Sequence, residues 1–254
     1  MLFAITRDVS PTIGNCELTH MARETIDLHR ARLQHRQYEQ RLKEAGCQLI
    51  QLTADPDLPD SVFVEDTAIV LDEIGIITRP GAESRRAESD SVAQALMPYR
   101  RLVYIRAPGT LDGGDVLRVG KSLYVGRSAR SNTEGINQLR ELVSPNGYSV
   151  VPVVLRDCLH LKSAVTQVAE DMLLVNRHWV DARVFSSMRL IDVHESEPFA
   201  ANALRIVDTV IYPEAFIRTR DRLEAQDLNV CIVDASELAK AEGGVTCCSL
   251  IFPV

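Results

Sequence analysis

The stretch Glu242-Gly243-Gly244-Val245-Thr246-Cys247-Cys248-Ser249 sets a thiol just after two glycines and just before the apolar run Leu250-Ile251-Phe252. Glycine lets the backbone turn tightly and approach a ligand closely. The apolar run reads as a buried strand. Cys247 would then stand on a turn at the strand's entrance, where a thiolate can serve as a nucleophile. A lone cysteine is only a candidate for that role, because free cysteine is usually a small buried hydrophobe. His160, between Leu159 and Leu161, reads either as a core histidine or as a general acid and base. Asp66 and Asp112 fall in loops, where aspartate commonly caps a turn. Each residue alone has a structural explanation. What links them is the pattern in which they recur.

The elements that must position these residues repeat along the chain. Glu65-Asp66, Asp112 to Asp115, His160, Asn202 and Cys247 each precede a short apolar strand. The restarts at 66, 115, 160, 202 and 247 are spaced by 49, 45, 42 and 45 residues. A near-constant period of that size marks a repeat architecture. Each unit reads strand, strand, helix, strand, with helices running from after Arg86 to Met97 and near 132–143, 181–188 and 214–225. A strand is expected at 163–168, and a short helix at 236–242. The fifth unit has only strand 249–252, and the N-terminus supplies the rest: strand 2–6, helix 24–45 and strand 47–52. Apolar positions Leu28, Ala31, His35, Tyr38, Leu42 and Ala45 give that helix its face, and Gly46 closes it. The expected fold is an α/β ring of five ββαβ modules, a five-bladed propeller closed by its two termini in a single domain. All five polar entrances would then meet at one end of a central channel. The loop 7–21, with Pro11, Gly14 and Asn15, has the length of a lid or binding loop. Cys248, next to the nucleophile on an alternating strand, would face the opposite way.

Composition narrows the partners. The 254 residues are 46% apolar and carry a formal charge of −7, which suits a large core and disfavours nucleic acid or an anionic membrane as partner. The acidic balance accommodates a cationic small molecule. Met1-Leu2-Phe3-Ala4-Ile5 is too short for a signal peptide's apolar region and has no basic stretch before it. Six cysteines, at 16, 47, 158, 231, 247 and 248, contain no C-x-x-C pair. A reduced, cytoplasmic protein without a structural zinc site is therefore expected.

Five blocks carry a resemblance to a known family. These are Asp60-Ser61-Val62-Phe63-Val64-Glu65-Asp66, the run Ile77 to Arg86, Gly109-Thr110-Leu111-Asp112-Gly113-Gly114-Asp115, Leu159-His160-Leu161-Lys162 and Thr246-Cys247-Cys248-Ser249. In order and spacing, from about residue 15 to 252, they resemble the dimethylarginine dimethylaminohydrolases of the guanidine-modifying (pentein) superfamily. The resemblance implies a dimethylargininase that converts N-omega-methylated arginines to citrulline and an alkylamine through a covalent cysteine thiouronium. Cys247 would be the nucleophile, His160 the acid and base, and Asp112 part of an acidic grip on the guanidinium. Asp60, Glu65 and Asp66 would bind substrate, Arg85 and Arg130 would hold its carboxylate, and Leu18 and Ala241 would touch the bound amino acid. No cofactor is implied and no metal is required, although Cys247 and His160 could take up an inhibitory zinc. The resemblance leaves room for a homodimer. Two alternatives remain: an arginine deiminase-like hydrolase of arginine or another guanidine, and a non-catalytic guanidine-binding protein.

Overall fold

Fifteen strands and six α-helical segments succeed one another in the computed structural model, which describes residues 1–254. The N-terminal part holds β1 (Leu2–Arg7), α1 (Leu28–Glu44) and β2 (Cys47–Leu52). The next module holds β3 (Ala68–Val70), β4 (Ile74–Ile77), α2 (Glu88–Leu96) and β5 (Arg101–Tyr104). It is followed by β6 (Val116–Val119), β7 (Ser122–Arg127), α3 (Thr133–Val143) and β8 (Ser149–Val154). The fourth group is α4 (Leu161–Ala164), β9 (Val165–Ala169), β10 (Met172–Val175) and β11 (Arg189–Asp192). Then come β12 (Leu204–Ile206), β13 (Thr209–Pro213), α5 (Ile217–Glu224) and β14 (Asn229–Val233), and finally α6 (Ser236–Ala239) and β15 (Leu250–Pro253).

The same pairing recurs five times. In each internal module the first two strands are antiparallel and the second pairs parallel with the third, which needs a crossover between them. The fifth sheet copies this order with strands from both chain ends. β15 runs antiparallel to β1, with Ile5 opposite Leu250, and β1 runs parallel to β2 across α1. The termini therefore complete one module between them, as the repeat pattern requires. Middle strands are the most enclosed: Ile74 to Ile77 and Met172 to Val175 are buried throughout. Such unbroken apolar runs are what a strand covered on both faces needs.

Five apolar clusters fill the wedges between neighbouring modules. Ile5, Val92 and Phe252 join the terminal module to the second, and Ile76, Leu123 and Ile136 join the second to the third. Tyr124, Val165 and Leu173 continue the series, followed by Leu174, Val210 and Tyr212. Ala4, Ala31, Ile211 and Val233 close it back onto the terminal module. Every wedge is filled, so the five sheets form a ring of α/β modules.

Helix α1 starts at Leu28 rather than 24 because the Asp27 carboxylate caps it by accepting the Arg30 N–H, and after its last residue, Glu44, the chain turns away at Gly46 with φ +94°. The helix expected at 181–188 is only a 3-10 turn, Ala182–Phe185. Asp181 accepts the Arg183 N–H and so offers the backbone a local turn in place of an α-helix. Strand β9 begins at Val165 rather than 163, because residues 161–164 form the helical turn α4. The short helix α6 covers 236–239 and stops before 242. Strand β15 begins at Leu250, which leaves both Cys247 and Cys248 on the preceding turn. Strand alternation therefore does not separate the two thiols; the turn does.

Candidate active site

The five entrances do meet. The 3-10 turns Val64–Thr67 and Gly113–Asp115, the turn α4 with His160 before it, Asn202, and the turn 245–248 each stand immediately ahead of a module's first strand. Their backbones pack closely. A Cβ on Gly113 would lie 1.9 Å from the Glu65 carbonyl oxygen, and one on Gly114 would lie 2.7 Å from both Asp66 Oδ1 and His160 Nδ1. Only glycine allows this approach, which explains the Asp-Gly-Gly-Asp run.

His160 is held in extended backbone at the head of α4, where Asp115 Oδ1 accepts the Leu161 N–H at 3.0 Å. Asp115 also accepts from Ser128 Oγ and Ser131 Oγ, so one buried carboxyl ties together three segments of the third and fourth modules. The imidazole faces acids on both sides. Nε2 lies 3.0 Å from Asp112 Oδ2, and Nδ1 lies 3.8 Å from Asp66 Oδ1. Burial lowers the basicity of the ring, but the Asp66 charge and the Asp112 hydrogen bond outweigh it and push the pKa up to about 9. His160 is an imidazolium at neutral pH. The fully buried Asp112 also accepts the Gly81 N–H at 2.8 Å through its other oxygen. Both Asp112 oxygens are thus engaged, one beside the His160 ring and one on the Gly81 amide.

Cys247 is half-buried, and its Sγ receives the Gly244 N–H at 3.3 Å. Its carbonyl accepts the Glu65 N–H at 3.1 Å, fixing the nucleophile turn to the acidic turn of the second module. Burial and then the charges of Glu65 and Asp66 push the thiol up to about 12. Cys248 is 3% exposed and packs in the apolar wedge between the last module and the terminal one. Leu18 and Ala241 belong to the same wedge as Cys247, so both expected contact positions lie beside the thiol's element.

The remaining acids differ in what already holds them. Asp60 accepts only the Glu17 N–H, at 3.1 and 3.2 Å, and burial raises its pKa. Asp66 accepts the Gly114 N–H at 3.0 Å and Arg85 Nη1 at 2.6 Å; burial opposes its ionisation, but His160 and Arg85 prevail and bring it down to about 2. Glu65 accepts Thr246 Oγ1 at 2.8 Å and pairs with Lys162 Nζ. Asn202 donates to Thr246 Oγ1 and to the Lys162 carbonyl, each at 3.0 Å. This Glu65–Lys162–Thr246–Asn202 network separates two cavities. One, of 390 Å³, is lined by Glu65, Lys162 and Thr246; the other, of 590 Å³, reaches Cys247 and Asn202.

The two arginines expected at a substrate carboxylate part company. Arg130 is 9% exposed and gives one hydrogen bond from its guanidinium, Nη2 to Thr19 Oγ1 at 3.1 Å, so most of its donors can meet a ligand. Arg85 is 4% exposed and already serves Asp66, Glu88 and the Phe63 carbonyl. Its place is behind Asp66 as a buried counter-charge. The acids and histidine that come within one metal's reach of each other are Asp66, Asp112 and His160, a set without Cys247. That is a different grouping from the zinc pair expected of Cys247 and His160. Lys162 and Thr246 sit inside the quoted sequence blocks, yet nothing in the sequence singled out their tie to Glu65. Glu242, which holds the loop around Leu18, gave no signal beyond its place before two glycines.

Comparison with known proteins agrees with this geometry. The family described as N,N dimethylarginine dimethylhydrolase, eukaryotic, matches residues 17–252. The N(G),N(G)-dimethylarginine dimethylaminohydrolase of Pseudomonas aeruginosa is 36% identical over 89% of this chain and 90% of its own. That of Streptomyces coelicolor is 37% identical over 97% of this chain and 95% of its own. The solved structure of a cysteine-to-serine variant of the Pseudomonas aeruginosa enzyme with citrulline superposes with a TM-score of 0.95, at 34% identity and 98% coverage of both chains.

Proposed function

This chain belongs to the dimethylarginine dimethylaminohydrolase family, and from that premise we infer that it hydrolyses N-omega-methylated arginines, asymmetric dimethylarginine and monomethylarginine, to citrulline and di- or monomethylamine. The observation that carries the reading is the convergence of two opposed groups at the module entrances, where the Cys247 turn is bonded to Glu65 and the His160 ring faces Asp66 and Asp112. A half-buried thiol, kept protonated by burial and then by neighbouring acids, stands at the same entrance cluster as an imidazolium held by two carboxylates. Such a site holds its sulfur in the less nucleophilic thiol form until a cation enters.

The residues divide the work accordingly. Asp60 and Asp66 face the substrate guanidinium, whose planar N–H groups pair with carboxylates. Arg130, with free donors, takes the substrate carboxylate, and Leu18 and Ala241 flank its aliphatic stem. The arriving positive charge offsets Glu65 and Asp66 and lowers the Cys247 pKa. The thiolate attacks the central guanidinium carbon, giving a tetrahedral adduct. His160 donates its proton to the departing amine nitrogen as the C–N bond breaks, leaving an S-alkylthiouronium on Cys247. The now neutral imidazole accepts a proton from water, which attacks the same carbon. Breaking the C–S bond then releases citrulline and restores the thiol. Asp112 holds the ring in one orientation through both half-reactions. The six cysteines, all free, support a reducing cytoplasmic setting.

The test is citrulline formation from arginine, monomethylarginine and asymmetric dimethylarginine supplied separately to purified protein. Turnover of the methylated substrates is the expected result. Turnover of arginine alone would indicate a deiminase, and binding without turnover of any of the three would indicate a guanidine-binding protein.

A further inference from the structure

Glu242 sits where a non-glycine residue is rarely placed. Its φ is +58°, in the left-handed region that side chains other than glycine avoid, although two glycines follow it directly. Backbone strain of this kind persists where the surroundings enforce it, and it clusters at functional sites. The enforcing contacts are specific. The Glu242 carboxylate accepts three consecutive backbone N–H groups: Thr19 at 2.9 Å on Oε2, and His20 and Met21 at 2.5 and 2.7 Å on Oε1.

The loop so gripped covers the site. Leu18 packs in the same apolar wedge as Cys247 and Ala241, the Glu17 N–H meets Asp60, and Thr19 Oγ1 accepts Arg130 Nη2. On the outer side, His20, Met21 and Glu242 line the 590 Å³ cavity that reaches Cys247. The loop's inner side meets Asp60 and Arg130 instead, neither of which lines that cavity. Glu242 also precedes the glycines whose Gly244 N–H meets the Cys247 sulfur. One side chain thus ties the covering loop to the nucleophile's own turn.

We propose that Glu242 is a positioning residue that latches loop 17–21 over the occupied site, and that its left-handed backbone is retained because only there does the carboxylate reach all three amides. The inference rests on the methylarginine hydrolase reading above. Opening the site breaks three charge-assisted hydrogen bonds together, so the loop behaves as a two-state cover rather than a floppy rim. Glu242 touches neither the guanidinium nor the thiol and acts only through the loop.

Two variants separate a latch from a purely structural residue. Glu242→Gln keeps the shape but weakens the acceptor, and Glu242→Gly removes the carboxylate while relieving the left-handed strain. The latch requires that both raise KM for methylated arginine about tenfold or more, the ratio expected from losing roughly one charged hydrogen bond. It requires also that both speed alkylation of Cys247 by iodoacetamide in the empty enzyme, located by peptide mapping, while Tm in Glu242→Gly holds or rises. Glu242→Asp, one carbon shorter, should fall between. Wild-type KM and wild-type alkylation rates in folded Glu242→Gly would overturn the proposal, as would a fall in Tm with KM unchanged. The alkylation arm needs no turnover, so it still judges the latch if the substrate panel shows the hydrolase reading to be wrong.

Discussion

At the scale of single residues, reactivity is set by which acids face which group. Cys247→Ser and His160→Asn should each abolish citrulline formation, by removing the nucleophile and the proton donor respectively. Cys248→Ser should keep most of the activity, because its sulfur lies in the apolar wedge with Gly244 O at 3.6 Å and no acid of the site bonds to it. Burying a hydroxyl there lowers stability by roughly 1–3 kcal/mol. Equal loss of turnover in the Cys248 variant would identify the wrong thiol. The titrations add a second test. His160 is raised to about 9, so its charged form stabilises the fold fully below its ordinary pKa of about 6.5, and that contribution disappears as pH rises through 9. Asp66, depressed to about 2, contributes above about 3.9 and loses its contribution as pH falls through 2. Tm of the native protein should therefore decline between pH 6.5 and 9 more steeply than Tm of His160→Asn; parallel curves would place the charge elsewhere. In the same spirit, thiolate absorbance of the empty enzyme should stay low through neutral pH, since Cys247 is pushed up to about 12, and should appear at lower pH when a non-reacting guanidine is added. An unmoved titration curve would mean that the cation does not activate the sulfur.

At the scale of elements, the useful comparison is between the two arginines that the sequence treated alike. Arg85 on the 3-10 turn Glu83–Arg85 is closed in by Asp66 and Glu88, both nearly without exposure. Arg85→Ala strips the buried Glu88 of its ion-pair partner and Asp66 of one of its two cations, a loss that typically costs about 3–5 kcal/mol. It should lower stability and turnover of every guanidine, with or without a carboxylate. Arg130→Ala should raise KM for the amino acid substrate by about tenfold or more and leave a simple alkylguanidine nearly unaffected. Steady-state kinetics on both substrates would decide; identical profiles for the two variants would erase the distinction. The sequence could not draw it, because the motif reports residue types at positions, whereas the partner of a guanidinium depends on which turns the ring brings together. For the same reason Lys162 remained unconnected to Glu65, 97 residues away. What the sequence did reveal was local or periodic. Strands β6 and β10 begin and end on apolar residues, VLRV and MLLV. The strand at 163 and the helix at 181 are not legible in sequence, because Asp115 holds the distant Leu161 amide and Asp181 holds the adjacent Arg183 amide, and each redirects the chain.

At the scale of the whole molecule, the catalytic turn depends on closure of the ring by its ends. Residues 245–248 lead straight into β15, and β15 exists as a strand only because β1 accepts it at the other terminus. The seam is packed by Phe252, 1% exposed, against Phe3 and Tyr99, with ring centroids at 6.0 and 5.6 Å. Arg100 lies over the same ring, 5.5 Å from its centroid. Its wedge also contains Val64 and Ile77, so the seam reaches the module that carries Glu65 and Asp66. Phe252→Ala opens a cavity in that wedge, and such truncations cost about 3–5 kcal/mol. In a chain of this length that corresponds to a Tm lower by roughly 10 °C. Because all five wedges are filled and each module touches two others, loosening one seam should destabilise the ring as a unit. Heating the Phe252→Ala protein should therefore give one transition, with far-UV ellipticity and citrulline-forming activity lost over the same interval. Loss of activity well below the main unfolding step would mean that the terminal module opens by itself and carries Cys247 out of the site before the ring unfolds.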